Sequence, residues 1–92
     1  MDAFKQLALQ KPADANAQSN LGEALDGMGR RDDAIEAFRQ AIRLKPDFGK
    51  AYFNLGKVLL ARGERDAAVE QYVILQNLDQ DWAEKLYNLI YP

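Results

Sequence analysis

Residues 15–48, ANAQSNLGEALDGMGRRDDAIEAFRQAIRLKPDF, lie without a gap over residues 49–82, GKAYFNLGKVLLARGERDAAVEQYVILQNLDQDW. At this shift of 34, twelve positions are identical: Ala17/Ala51, Asn20/Asn54, Leu21/Leu55, Gly22/Gly56, Leu25/Leu59, Gly29/Gly63, Arg31/Arg65, Asp32/Asp66, Ala34/Ala68, Glu36/Glu70, Leu44/Leu78 and Asp47/Asp81. Ile35/Val69 and Phe38/Tyr72 are close substitutions. Self-similarity at a fixed period of this size marks an array of small units, none able to bury its apolar face alone.

Each unit reads as two helices. Asp14 is placed to cap the first, and Ala17, Leu21, Ala24, Leu25 and Met28 recur at three- and four-residue spacing. Gly27 and Gly29 are expected to end it, and Asp32 and Asp33 to open the next helix, where carboxylates suit the dipole. Ala34, Ile35, Phe38, Ala41, Ile42 and Leu44 form an apolar face, and Pro46 stops it. The second unit repeats the plan through Tyr52, Leu55, Gly56, Leu59, Gly63, Ala68, Val69, Tyr72, Leu75 and Leu78. No Val/Ile/Thr-rich alternation suggests a strand.

The ends read as fractions of the same unit. Phe4 and Pro12 stand 34 residues before Phe38 and Pro46, so residues 2–10 match a second helix. Residues 82–91 match a first helix, and Asp81-Trp82-Ala83-Glu84 reads as its capping box. The expectation is an all-α chain with helices near 2–10, 15–28, 31–44, 49–62, 65–78 and 82–90. It is one domain over 1–92, divided as 1–14 (partial repeat), 15–48, 49–82 and 83–92 (terminal helix).

Composition narrows the function. The 92 residues carry a net charge of −2, with no His and no Cys, and Ser19 is the one residue of the Ser/Thr pair of types. Disulfides, thiolate nucleophiles, Ser-His and Cys-His systems and most zinc sites are thereby excluded. No catalytic, metal-binding or cofactor-binding residue is assigned. A nucleic-acid partner held by bulk charge is not expected, nor is membrane insertion. Residues 1–5 lack the basic start of a signal peptide, so a cytoplasmic location is the expectation. Asn77, Asp79 and Asp81 alternate like the start of a calcium loop, but no Gly or Glu follows at the required spacing.

The pattern resembles the tetratricopeptide repeat (TPR) family. Leu21-Gly22, Leu25, Ala34, Phe38, Ala41 and Pro46 match it in one unit, and Tyr52, Leu55-Gly56, Leu59, Ala68 and Tyr72 in the next. Leu75 and Gln80 depart from the pattern's Ala and Pro, and Ile90 stands where Leu-Gly would place glycine. In this reading Gly22 with Ala34, and Gly56 with Ala68, let the two helices of one repeat approach closely.

The resemblance implies a right-handed superhelix of about six helices. Its concave groove, lined by first helices, binds a peptide or protein segment without catalysis. The corresponding positions here include Ser19, Asn20 and Glu23, then Lys50, Phe53, Asn54 and Lys57, then Tyr87. Phe53 is the expected anchor, since exposed aromatics dominate such contacts. The carboxylate clamp of chaperone-binding members is not expected. Its positions hold Ser19, Glu23, Asn54, Glu84 and Asn88, and Asn54 alone agrees.

A different expectation attaches to the C-terminal end. Leu86, Leu89, Ile90 and Tyr91 would be left uncovered, unless Leu86 and Leu89 pack inward on Tyr72 and Leu75, and Val73 and Ile74 take places held by Arg39 and Gln40 in the first unit. An uncovered apolar patch commonly marks an interface, so self-association through these six residues is the alternative function.

Overall fold

The computed structural model describes residues 14–92. The predicted helix 2–10, with Phe4 and Pro12, lies outside the described residues. The described chain forms five α-helices: α1 (Ala15–Gly27), α2 (Arg31–Leu44), α3 (Gly49–Ala61), α4 (Arg65–Leu78) and α5 (Gln80–Ile90). Among the described residues there is no strand.

The helix limits follow from local chemistry. Asp14 Oδ1 accepts from the Asn16 N–H at 2.9 Å and the Ala17 N–H at 3.4 Å, which caps α1. At the other end Gly29 takes φ +80°. That left-handed residue lets the Arg30 N–H reach back to Leu25 O at 2.8 Å. The second unit repeats this: Gly63 has φ +82°, and the Glu64 N–H donates to Leu59 O at 2.9 Å. Gly27 is the last residue of α1 and takes no part in the reversal.

The start of α5 differs from expectation. Its cap is Asp79, whose Oδ1 accepts from the Asp81 N–H at 3.1 Å and the Trp82 N–H at 3.3 Å. The Asp81–Glu84 box therefore lies inside the helix. Asp79 stands where the first unit has Lys45, which has no side-chain oxygen to cap a helix. The extended Asp79 (φ −156°, ψ 101°) serves both as the end of α4 and as the cap of α5.

Two clusters form the core. The first joins Leu25 of α1, Ile35 and Phe38 of α2, and Leu55, Val58 and Leu59 of α3, with Ala34 and Ala68 closing the tight crossings. The second joins Tyr52 of α3, Leu75 of α4, and Ala83, Leu86 and Ile90 of α5. Ile42 and Leu60 pack against both.

The glycines show how each crossing is filled. A Cβ on Gly22 would sit 2.6 Å from Phe38 Cε1, so in the first unit the notch admits the aromatic of the same repeat. A Cβ on Gly56 would instead meet Leu86 Cδ2 at 2.8 Å and Cδ1 at 2.9 Å. The expectation that Gly56 serves α3 and α4 is corrected here, because its space belongs to α5.

Tyr52 ties the second unit to the turn before it. Its hydroxyl donates to Pro46 O at 2.9 Å. Burial, and then the charge of Asp47, raises its phenol above the ordinary value of 10.0. A raised folded-state value stabilises the neutral form. That contribution is full below pH 10.0 and is lost as pH rises through the folded value. Tyr52→Phe should lose about 1 kcal/mol near pH 7, the worth of one hydrogen bond. The gap between parent and variant should shrink in alkali. Urea midpoints measured from neutral to alkaline pH check this, and a gap that widens with pH refutes it.

Candidate interaction surface

The first helices of successive units are linked by exposed contacts. Between α1 and α3, Lys50 Nζ lies 3.3 Å from Glu23 Oε2, with both side chains over two-fifths exposed. Such a pair stabilises by about 0–1 kcal/mol and holds the lysine's charge in check. Between α3 and α5, the Phe53 and Trp82 rings stack with centroids 4.9 Å apart and planes tilted by 40°. Lys57 Nζ lies 5.9 Å from the Phe53 centroid, one helical turn away, and Lys85 Nζ lies 4.4 Å from the Trp82 centroid. Both rings are half-buried against the second cluster and both lysines are exposed.

The other residues expected in the groove divide by exposure. Asn20 is exposed. Ser19 is 1% exposed and Asn54 4%, so neither offers a surface contact. Asn54 shares the buried arc of α3 with Ala51 and Val58, three and four residues away. Ser19 stands where the next unit has Phe53, and its short side chain is covered where the ring is not. Neither Ser19 Oγ nor Asn54 Nδ2 has a hydrogen-bond partner among the described residues. Tyr87 stacks on Tyr72 of α4 (5.5 Å) and on Tyr91 (5.0 Å), which Arg65 covers at 4.9 Å. These rings form a row along α4 and α5, and Tyr87 belongs to it.

The six residues expected at an uncovered end divide. Leu86 and Ile90 are 0% and 3% exposed and belong to the core, which corrects the expectation for both. With Ala83 they form a stripe at spacings of three and four that α3 and α4 cover. Val73, Ile74, Leu89 and Tyr91 are exposed.

Trp82 and Lys85 were missed as surface residues. A signal for Trp82 existed, since Phe48 stands 34 residues before it and also lies under a lysine, Lys45, at 5.2 Å. Nothing in the repeat marks Lys85. Among the described residues no group of three or more His, Cys, Asp or Glu side chains could hold a metal ion. No helix of the described residues is long and apolar enough to cross a membrane.

The model of a family described as tetratricopeptide repeat matches residues 19–81. Among solved structures, the chain is similar to one described as the crystal structure of MamA. The two are 32% identical with a TM-score of 0.80, over 90% of this chain and 48% of that one. A second, described as the crystal structure of MamA protein, is 28% identical with a TM-score of 0.87, over 98% of this chain and 50% of that one. The chain thus spans about half the length of these MamA chains. No curated protein matches it. With the 34-residue helical pairs, the glycine notch at Gly22 and the match over 19–81, the chain belongs to the tetratricopeptide repeat family.

Proposed function

We propose that the chain is a non-catalytic scaffold that holds a segment of a partner protein across the face formed by α1, α3 and α5. The supporting observation is the Phe53–Trp82 pair, two half-buried rings in contact across two helices with a lysine beside each. Rigid aromatics at the centre of a polar surface are the usual anchors of protein recognition. Peptides selected from a random display library against the chain, titrated into isotopically labelled protein, test the reading. Amide shifts should concentrate around Lys50, Phe53, Lys57 and Trp82. Shifts confined to Glu36, Arg39 and Arg43 on α2 would move binding to the opposite helices.

Self-association is the second reading, favoured by the exposure of Val73 (50%), Ile74 (41%), Leu89 (45%) and Tyr91 (46%). It draws on four of the six residues first expected to support it.

A further inference from the structure

Each ring of the aromatic pair on α3 and α5 has a lysine beside it, and among the described residues neither lysine is in an ion pair. Lys57, Phe53, Trp82 and Lys85 form one line of contacts, at 5.9, 4.9 and 4.4 Å. A ring quadrupole attracts an ammonium without neutralising it. Lys50 differs, since Glu23 already holds it. Among the described residues no carboxylate lies within 4.0 Å of Lys57 or Lys85. Asp81 and Glu84 line the same open cleft as Lys85, yet its ammonium lies over the indole.

We infer that this row receives a protein segment in which one large apolar side chain is bracketed by carboxylates. The apolar group lies on Phe53 and Trp82, and one carboxylate meets each lysine. The inference rests on the groove reading above and specifies its ligand. Charges at the rim of such a contact steer association and choose among partners. Single-stranded nucleic acid also stacks on aromatics between lysines. It brings a phosphate with every nucleotide, however, and this chain has a net charge of −2 with Glu23, Asp81 and Glu84 on the elements around the row. A peptide can place its carboxylates at two points and leave the rest neutral.

Trp82 is the chain's one tryptophan, so its emission reports on this site alone. The full chain is titrated with three short synthetic peptides carrying one Phe flanked by Asp pairs, by Asn pairs or by Lys pairs, and with oligothymidylate. The Asp peptide should shift the emission and should bind about tenfold more tightly than the Asn peptide, with added salt erasing the difference. In the Lys57→Gln, Lys85→Gln double variant the two peptides should bind alike. Both positions are exposed, so the fold is retained. Equal binding of the Asp and Asn peptides to the parent removes the charge selection while leaving the groove reading intact. A stronger response to the Lys peptide or to oligothymidylate assigns the row to another partner. Silence of Trp82 towards all four overturns the inference, and the amide mapping judges the groove independently.

Discussion

Phe38→Ala should lower stability by about 3–5 kcal/mol, and it should reverse the effect of a second substitution, Gly22→Ala. The ring is 1% exposed and fills the notch left by the missing side chain of Gly22. A domain of this length is stable by roughly 5–14 kcal/mol, so the loss is a large share of the whole. Gly22→Ala alone sets two effects against each other. Helix propensity favours alanine by about 1 kcal/mol. The new methyl, however, would stand 2.6–2.8 Å from three atoms of a ring that cannot swing away. Overpacking of this kind costs about 1–3 kcal/mol, so the clash wins. Once Phe38 is alanine the clash is gone, and Gly22→Ala should stabilise by up to about 1 kcal/mol. Urea midpoints of the parent, both single variants and the double variant close the cycle. If Gly22→Ala is equally harmful in both backgrounds, the notch is not what makes glycine necessary there.

The repeat was readable because it depends on short-range rules. Gly29 and Gly63 stand where a left-handed residue must, and Asp14 stands where a cap must. Phe38 and Ala34 fall on the face that any 3.6-residue period turns inward. The end of the chain was misread because the cover of α5 was sought in a following helix, whereas α3 and α4 already supply it. Ile90 was expected to be uncovered for want of a following second helix, yet its own spacing to Ala83 and Leu86 is that of a buried stripe. The surface was partly legible. Phe53 and Lys57 were named from the groove register, but Trp82 joins them only because α5 starts at Gln80 and brings the indole against α3. The burial of Ser19 and Asn54 is a matter of which helices cover them, and one helix's periodicity does not report it.

Leu86→Ala should cost about 2–5 kcal/mol, whereas Leu89→Ala, three residues on, should stay within about 0.5 kcal/mol of the parent. Both were expected at an exposed end, and the two side chains now lie on opposite sides of the packing boundary, at 0% and 45% exposure. The methyls of Leu86 occupy the notch at Gly56, and Gly56 itself has no side chain to fill the cavity that alanine would leave. Partial collapse is therefore limited, and the cost should fall in the upper half of the range. The contrast also decides how self-association must be tested. A charge at Leu86 or Ile90 would unfold α5 from the second cluster, and any change in mass would report unfolding. Ile74→Lys with Leu89→Lys changes only exposed positions and leaves both clusters whole. If copies pair through this face, sedimentation at about 100 μM should show a dimer for the parent and a monomer for that double variant, since even a weak pair is populated there. A monomeric parent ends the self-association reading. Equal stability losses for Leu86→Ala and Leu89→Ala would show that α5 does not cap the second repeat through Gly56.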